Sequence, residues 1–162
     1  MSVRVGIGVF AFQNFLIHGG EEFIIGKRKG SHGAGTYALP GGHLEFGETF
    51  EHCAARELLE ETGIKVDESK FIYLTAVNSV FEGKHYVTIM MGCLVIGGSQ
   101  PQTLEPDKCE GWGWMHWKEL KECAEPGGRS GMTLFAPMRD LVHQRDGFHP
   151  FEVLCEARRK NA

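Results

Sequence analysis

The segment of residues 42–64, GHLEFGETFEHCAARELLEETGI, constrains the fold more than any other part of the chain. Thr49 or Glu48 can act as the N-cap of a helix, and Gly63 stands where a left-handed C-terminal cap belongs. Four residues that favour turns predict a tight loop leading into this helix: Pro40, Gly41, Gly42 and Gly47. The segment therefore predicts a loop, a rigid helix and a second loop.

The predicted helix carries a concentrated group of carboxylates. Helical spacing of i, i+3 and i+4 places Glu57, Glu60 and Glu61 on one face. A glutamate-rich face often does no more than meet solvent. These three residues, however, lie beside a glycine backbone that a ligand can approach, and Mg²⁺ is bound by a few carboxylates together with substrate phosphates. The pattern favours a site for a divalent cation, which would also relieve the repulsion between the carboxylates.

The spacing of these residues resembles the complete signature of the MutT/Nudix hydrolases. The matching positions are Gly42, Glu48 and the run of residues 56–64, RELLEETGI. Many fixed offsets in one segment make such a match specific. The resemblance implies four metal ligands: the carbonyl of Gly41 and the carboxylates of Glu57, Glu60 and Glu61.

The same resemblance implies roles for two further residues and a cofactor. Arg56 would orient Glu57, and Glu48 would pair within the motif and hold the loop against the helix. The expected cofactor is Mg²⁺, with Mn²⁺ as an alternative. The general base is expected to be Glu57, with Glu60 as the alternative.

Length and charge limit the number of domains and the class of partner. The chain has 162 residues, of which 42% are hydrophobic, and this suits a single domain over residues 1–162 with one core. The net charge of −4 gives no basic field for duplex DNA or RNA. A small anionic ligand is the expected partner, bound through metal ions and a local basic patch.

The cysteine pattern and the N-terminal sequence predict the compartment. The five cysteines are odd in number and lack CxxC spacing, which is typical of reduced thiols inside cells. We expect neither a signal peptide nor a membrane span, because no apolar run is long enough. A cytoplasmic location is expected, with the nucleus as an alternative.

Upstream of the motif, apolar runs predict two strands and a short third one, over residues 3–12, 22–28 and 37–40, with a hairpin turn at residues 18–20. Gly6 and Gly8 are unusual inside a strand. They indicate either close packing or space for a substrate ring against the backbone.

The basic residues that follow the second strand have two interpretations. Lys27 and Arg28 lead into a glycine-rich stretch over residues 29–35, which is often only a solvated turn. Because they lie one strand before a predicted metal-binding helix, they could also bind phosphate groups. A guanidinium group in particular suits the non-bridging oxygens of a phosphate. Leu39 is expected near the mouth of the site.

Downstream of the motif, the sequence predicts three more strands and two helices. The strands cover residues 71–81, 85–96 and 110–117, and the helices cover residues 118–123 and 133–146, separated by a linker over residues 125–131. Glu110 opens a strand and is either an additional metal ligand or an ordinary strand-end carboxylate. The tryptophans are expected in the core rather than as base platforms. The C-terminal tail begins at about residue 148, and its basic end at residues 158–160 is expected to fray.

The resemblance extends over roughly residues 5–150. GKRKGSHGAGTYALPGGHLEFGET, VNSV followed by HYVTIMM, LEPDKCEGWGW and the pair Leu134-Phe135 resemble the nucleotide triphosphate diphosphatases of the MutT-homologue group, in particular its thiopurine-hydrolysing, member-fifteen type. This resemblance implies an α/β (α+β) Nudix fold, a mixed sheet sandwiched between helices, and a homodimer. It also implies a substrate site formed by Gly6, Leu39, Gly42, Phe135 and Met138. That group commonly has a tryptophan after the helix phenylalanine, where this chain has Ala136.

The reaction implied is metal-assisted hydrolysis of a nucleoside triphosphate, which includes modified or oxidised ones, to a monophosphate and pyrophosphate. Lys27 and Arg28 would hold the polyphosphate. Acid should abolish activity, because the carboxylates must be ionised to bind metal. Two alternatives stay open: hydrolysis of another diphosphate, such as a prenyl diphosphate or a dinucleotide sugar, and a module that binds a nucleotide without cutting it.

Overall fold

A computed structural model describes residues 1–15, 20–30, 32–125 and 131–162. Within these residues, seven strands and four helices follow one another. They are β1 (Val3–Phe15), β2 (Gly20–Arg28), β3 (Tyr37–Ala38), β4 (Gly41–His43), α1 (Phe50–Thr62), β5 (Ile72–Phe81), β6 (Lys84–Leu94), β7 (Cys109–His116), α2 (Trp117–Ala124), α3 (Ala136–Gln144) and α4 (Pro150–Lys160), with a 3-10 turn at Glu68–Lys70.

The strands form one mixed sheet, as predicted. Its main order is β3-β2-β1-β6-β5, and β4 pairs with β1 while β7 pairs with β2. The β1–β6 pair is parallel and the other pairs are antiparallel. β1 pairs with β4 at Gly6–Gly8 and with β2 from Phe12 onward, so it changes partner partway along its length.

Two apolar cores lie on opposite faces of the sheet, because successive residues of a strand point to opposite sides. Val9 and Ala11 of β1 pack with Leu58 of α1 in one core. Phe10 and Phe12 belong to the second core. That core also holds buried residues of the other three helices: Trp117, Leu120, Met138, Leu141 and Leu154. The predicted sandwich of helices around a mixed sheet is therefore confirmed.

Helix α1 has the predicted caps. The Thr49 side chain accepts a hydrogen bond from the His52 N–H at 3.0 Å, and Gly63 adopts a left-handed conformation with φ of 75°. Thr49 rather than Glu48 is thus the N-cap, and this leaves the Glu48 carboxylate available for another partner.

The C-terminal prediction was wrong. Residues 150–160 form α4 and do not fray; Pro150 lies in the first turn, and the His149 side chain accepts from the Glu152 N–H. Leu154 is fully buried, and the Phe151 ring lies 5.2 Å from the ring of Phe12. A proline at the start of a helix and apolar residues at helical spacing stabilise this element.

Other boundaries differ from the prediction in smaller ways. α3 begins at Ala136 rather than at residue 133, because the Phe135 N–H bonds to the Tyr37 carbonyl at 2.9 Å and so holds residues 133–135 beside β3. The strand predicted over residues 37–40 is only Tyr37–Ala38, and β4 was missed. The hairpin turn predicted at residues 18–20 and the linker over residues 125–131 lie largely outside the described residues.

In the part of the chain that the structure describes, no helix has the length and apolar character needed to cross a membrane.

Candidate active site

The loop before α1 is joined to the helix by a buried ion pair. Arg56 donates from Nε to Glu48 Oε2 and from Nη2 to Glu48 Oε1, both at 2.8 Å. The Glu48 side chain is only 9% exposed, and its Oε1 also accepts from the Glu45 N–H at 2.8 Å. The hydrogen bonds from Arg56 lower the pKa of Glu48 to about 2. This carboxylate is therefore fully satisfied and structural, as the motif implies.

Glu57 lies against the backbone of the glycine loop. Arg56 Nη1 donates to Glu57 Oε1 at 3.0 Å, and the Glu57 side chain is 13% exposed. A Cβ atom at position 42 would lie 2.2 Å from Glu57 Oε1, so only glycine leaves room for this carboxylate. Gly42 thus allows the Glu57 carboxylate of α1 to lie directly against the loop that precedes the helix.

Glu61 completes a carboxylate pair with Glu57. The two carboxylates lie close enough for one proton to bridge them, and the Gly41 N–H donates to Glu61 Oε1 at 3.4 Å. Burial, followed by the charge of Glu57, raises the pKa of Glu61 well above its usual range, and burial also raises the pKa of Glu57. Two like charges this close in a partly buried site are unfavourable unless a proton or a cation lies between them. We call Glu57 and Glu61 the carboxylate pair.

Glu60 is not part of this pair. Its side chain is 51% exposed and lies 3.5 Å from Arg56 Nη1, outside the cavity described below. Within residues 1–15, 20–30, 32–125 and 131–162, no three His, Cys, Asp or Glu side chains are gathered closely enough to hold a metal ion. The structure therefore brings together two of the three predicted glutamate ligands. Ligation by the Gly41 carbonyl and by Glu60 stays a prediction.

The carboxylate pair lines a cavity of about 660 Å³. The cavity opens where β1 changes partner, and residues of β2, β4 and α3 surround it. One part of its lining is apolar, and we call this part the apolar pocket: Gly8, Leu39, Met90, Phe135 and Met138. All five residues of the predicted substrate site line the cavity: Gly6, Leu39, Gly42, Phe135 and Met138.

Of the two interpretations of the β1 glycines, close packing holds at Gly8, and space for a substrate ring stays a prediction. A Cβ atom at Gly8 would lie 3.0 Å from Met90 Sδ and 3.5 Å from Leu39 Cδ1, so this position requires close packing. A Cβ atom at Gly6 would make only ordinary contacts. Both glycines line the cavity, where they leave space above the sheet.

Arg28 and Lys27 point to different sides of β2, as consecutive strand residues do. Arg28 lines the cavity, and its guanidinium carbon lies 4.1 Å from the centre of the Phe135 ring. Burial lowers the pKa of Arg28. Lys27 instead forms an ion pair with Glu110 at 3.4 Å, and neither residue lines the cavity.

The structure therefore departs from two predicted placements. Lys27 does not reach the cavity that would hold the phosphates, and Glu110 does not approach the carboxylate pair, because each is held by the other on the far side of the strands. Glu105 lines the cavity instead, together with Lys108, to which it is paired at 3.2 Å. The polar stretch of residues 97–106 gave no signal that Glu105 would line the cavity. Its position depends on a tertiary contact, because the Leu104 N–H donates to the Glu61 carbonyl and anchors this loop to α1.

Sequence reasoning also missed an aromatic group at the cavity. His43 and Tyr86 stack with ring centres 5.6 Å apart, and His43 Nε2 lies 3.1 Å from the Tyr86 hydroxyl. Burial, then the charge of Arg4, lowers the pKa of His43. Tyr86, Thr88 and Met90 alternate along β6 and line the same cavity, so the period of two in this strand was the available signal.

Trp112 packs against the core, as expected, and it also lines the cavity. Its Nε1 donates to the Glu61 carbonyl at 3.2 Å. We expect the fluorescence of this indole to respond to binding at the carboxylate pair. Trp117, by contrast, is 3% exposed within the core, as predicted.

A family comparison now decides which group of proteins shares this arrangement. The family model of the NUDIX domain matches residues 4–135, well over half of the chain. The chain belongs to the Nudix family. The motif around the carboxylate pair is the Nudix signature, and members of this family are pyrophosphohydrolases.

Curated relatives of the Nudix chain carry hydrolase or pyrophosphatase names. Nudix hydrolase 2 of Arabidopsis thaliana is 27% identical over 119 residues, which are 73% of this chain and 41% of that protein. ADP-ribose pyrophosphatase of Methanocaldococcus jannaschii is 32% identical over 83 residues, 51% of this chain and 49% of that protein. Oxidized purine nucleoside triphosphate hydrolase of Mus musculus is 45% identical over 47 residues, 29% of this chain and 30% of that protein. The chain thus spans at most about half the length of these relatives.

Solved structures show the same fold. A MutT NUDIX hydrolase from Burkholderia pseudomallei is 30% identical, with a TM-score of 0.60 over 71% of this chain and 84% of that one. A MutT protein from Methanosarcina mazei Go1 is 20% identical, with a TM-score of 0.64 over 98% of this chain and 95% of that one. The second likeness concerns the fold alone.

Proposed function

We propose that this protein is a metal-dependent pyrophosphohydrolase that converts a nucleoside triphosphate to a monophosphate and pyrophosphate. One observation carries the proposal: the carboxylate pair and the apolar pocket line one cavity, with the Arg28 guanidinium between polar and apolar lining. A cation, a phosphate chain and an aromatic ring would each meet matching chemistry there.

The carboxylate pair fits a hard divalent cation. Glu57 and Glu61 supply only oxygen atoms; burial raises the pKa values of both groups, and at Glu61 the charge of Glu57 raises it further. Mg²⁺ commonly uses one or two carboxylates and completes its shell with waters and substrate phosphates, so two gathered glutamates suffice as a starting set. When bound, Mg²⁺, or Mn²⁺ in its place, would neutralise phosphate charge and lower the pKa of the attacking water.

The protein's own groups divide the remaining work. Arg28 would bind non-bridging phosphate oxygens, a role that suits its planar guanidinium group. Phe135 supports that guanidinium from below and, with Leu39, Met90 and Met138, gives an apolar surface for a nucleobase. Trp112 helps to fix the end of α1, because it binds the Glu61 carbonyl.

Glu57 is the proposed general base. Arg56 holds its Oε1 at 3.0 Å, which fixes the direction in which the other oxygen can accept a proton. Glu60, the alternative, is more exposed and lies outside the cavity lining, which favours Glu57.

The choice of a nucleoside triphosphate is supported by the mouse relative, whose name is that of an oxidized purine nucleoside triphosphate hydrolase. Another relative is named an ADP-ribose pyrophosphatase, so a nucleoside diphosphate sugar is the second candidate substrate. The thiopurine-hydrolysing type stays a prediction. Ala136 does not line the cavity although its neighbours Phe135 and Pro137 do, so the tryptophan common in that type has no counterpart here.

A substrate panel tests this proposal. Purified protein with Mg²⁺ would be given normal and oxidised nucleoside triphosphates, ADP-ribose, a dinucleotide and a prenyl diphosphate, and the products would be separated by ion-exchange chromatography. We expect a triphosphate to give monophosphate and pyrophosphate. Release of orthophosphate, or a strong preference for ADP-ribose or a prenyl diphosphate, would refute the choice of substrate. Tight nucleotide binding without turnover would refute catalysis.

We also propose that the protein is a homodimer and that duplex nucleic acid is not among its partners. Light scattering coupled to gel filtration would report the mass of the particle. A mass of about 18.0 kDa, that of one chain, would contradict the dimer.

A further inference from the structure

Side chains bind the C-terminal end of α3 to the edge of the sheet. β5 is the terminal strand of the sheet order, so one side of its backbone meets no further strand. The Gln144 side chain fills this position: its Oε1 accepts from the Asn78 N–H at 3.1 Å, and its Nε2 donates to the Asn78 carbonyl. One side-chain amide thus replaces the hydrogen bonds of a neighbouring strand residue.

Arg145 extends the same contact along β5. Its Nε donates to Thr75 Oγ1 at 3.0 Å, and its Nη2 donates to the Ala76 carbonyl at 2.7 Å. We call Gln144 and Arg145 the α3 clamp. Its four hydrogen bonds join the last residue of α3, and the residue that caps it, to Thr75, Ala76 and Asn78 of β5.

The opposite end of α3 is fixed to the other side of the sheet. The Tyr37 N–H donates to the Thr133 carbonyl, and the Phe135 N–H donates to the Tyr37 carbonyl, each at 2.9 Å. Tyr37 belongs to β3, which pairs with the strand that carries Arg28. α3 is therefore attached to both sides of the cavity, at β3 by its start and at β5 by its end.

The first turn of α3 and the residue before it form one wall of the cavity. Phe135, Pro137 and Met138 line it. Phe135 also contacts both flanks, because Arg28 lies over its ring and the Phe81 ring of β5 meets its ring edge-on at 5.3 Å. A small rotation of the helix about its axis would move all three wall residues together.

We propose that Gln144 and Arg145 are positioning residues for the apolar pocket. The clamp sets the rotation and axial position of α3, and so holds Phe135 and Met138 in the arrangement that accepts a ring. Neither clamp residue lines the cavity, so each acts through the helix. The inference rests on the proposed function in one respect, because it takes the apolar pocket as the place where the nucleobase binds.

A binding experiment separates positioning from general damage. Gln144→Ala and the double variant Gln144→Ala/Arg145→Ala would be compared with His143→Ala, an exposed residue of the same helix. Binding of AMP, GMP, CMP and UMP in EDTA would be measured by calorimetry, and Mn²⁺ binding by Trp112 fluorescence. We expect the preferred monophosphate to bind roughly five- to tenfold more weakly in the double variant, which is the size of one or two lost hydrogen bonds. Mn²⁺ affinity should change less than about twofold, because the clamp is remote from the carboxylate pair.

A double-mutant cycle tests whether the effect passes through the pocket wall. In a Phe135→Ala background, Gln144→Ala should cause almost no additional loss of monophosphate affinity, since the wall residue it positions is gone. Full additivity of the two losses, or equal losses of Mn²⁺ and monophosphate affinity, would overturn the proposal.

Amide hydrogen exchange tests the clamp without any ligand. The N–H groups of Phe135 and Met138 bond to the Tyr37 and Phe135 carbonyls. Both should exchange several-fold faster in the double variant than in His143→Ala, at unchanged protection of β1. Unchanged exchange at these two amides would overturn the proposal. If wild-type protein binds none of the four monophosphates, the proposed function fails, whereas the exchange result still decides the role of the clamp.

Discussion

Glu48 and Glu61 belong to one motif but lie in opposite electrostatic environments. Glu48 accepts two hydrogen bonds from Arg56, which lower its pKa to about 2. Glu61 faces Glu57 and forms no ion pair within the described residues, and burial followed by the charge of Glu57 raises its pKa. The protein satisfies the first carboxylate itself and leaves the second for something it binds. A structural glutamate and a functional one can therefore be told apart by their partners, although both occupy fixed positions in the signature.

Removal of the functional charge should have the largest effect. Glu61→Gln keeps the shape of the side chain but removes half of the carboxylate pair, so kcat/KM with Mg²⁺ should fall by at least roughly 100-fold, the loss expected when several kcal/mol of metal-derived stabilisation disappear. Steady-state kinetics would measure this. Glu51→Gln, in the first turn of the same helix, is the matched control and should retain activity.

The same variant should be more stable than wild type in EDTA near pH 8, because the repulsion within the pair is gone. A gain of about 1 kcal/mol would raise Tm by roughly 2–4 °C for a chain of this size. A lower Tm for metal-free Glu61→Gln would show that the two carboxylates of the pair do not destabilise each other. The proposed difference between Glu48 and Glu61 would then be wrong.

Removal of the structural charge should act on stability. Glu48→Gln leaves Arg56 without its bidentate partner, and the free energy of unfolding should fall by about 3 kcal/mol, as when one member of a buried ion pair is removed. Urea denaturation would measure it. Glu45→Gln is the control, because Glu45 is exposed and its oxygen lies 3.8 Å from Arg56 Nη2. A loss below about 1 kcal/mol, as for a surface pair, would contradict the structural role of Glu48.

Glu48 and Glu61 should have opposite effects on how the free energy of unfolding of the metal-free protein changes with pH, and we call the two resulting parts of the curve its limbs. The folded pKa of Glu48 lies below its ordinary value of 4.5, so its contribution is present above that pH and is lost as the pH falls toward about 2. The folded pKa of Glu61 lies above 4.5, so the folded state holds a proton that the unfolded state releases, and stability falls as the pH rises beyond 4.5.

Urea denaturation in EDTA between about pH 3 and pH 9 would resolve these limbs. Glu48→Gln should flatten the acidic limb and leave the other intact, while Glu61→Gln should do the reverse. An unchanged slope above pH 4.5 in Glu61→Gln would mean that another group titrates there.

The smallest effect is expected at the Lys27–Glu110 pair. The two side chains are 42% and 50% exposed, so Glu110→Gln should change the free energy of unfolding by less than about 1 kcal/mol. It should leave Mg²⁺ activation of the enzyme unchanged, because Glu110 lies away from the carboxylate pair. A large rise in the Mg²⁺ concentration needed for activity would restore Glu110 as a metal ligand.

The part of the site encoded in one segment could be predicted from the sequence. The caps of α1 and the position of a glycine backbone beside the carboxylates follow from short offsets. The resemblance implied that Glu48 pairs within the motif, and its partner is Arg56. Glu60 shows the limit of this reasoning. Helical spacing places it near Glu57, but the rotamer that sends it toward Arg56 depends on packing that spacing does not describe.

Contacts between distant segments were much harder to predict. Lys27 and Glu110 face each other because β2 pairs with β7, and this register depends on a bulge between Gly26 and Arg28. Glu105 reaches the cavity only because its loop bonds to the end of α1. The α3 clamp likewise joins residues 66 positions apart, and no local pattern marks them.

The fold itself was largely predictable because alternation and helical periodicity are local signals. The failure at α4 is instructive. The basic end of the chain suggested fraying, whereas Phe151 packs against Phe12 of β1, far earlier in the chain, and Leu154 is buried in the same core.

The most direct test of the account is calorimetric titration of Mg²⁺ into the metal-free protein at pH 7.5, in buffers of different ionisation enthalpy, for wild type and Glu61→Gln. Because the carboxylate pair retains a proton that a cation must displace, we predict binding to wild type with release of about one proton, and much weaker binding without proton release in the variant. Binding that releases no proton and is the same in both proteins would place the cation elsewhere and contradict the central claim.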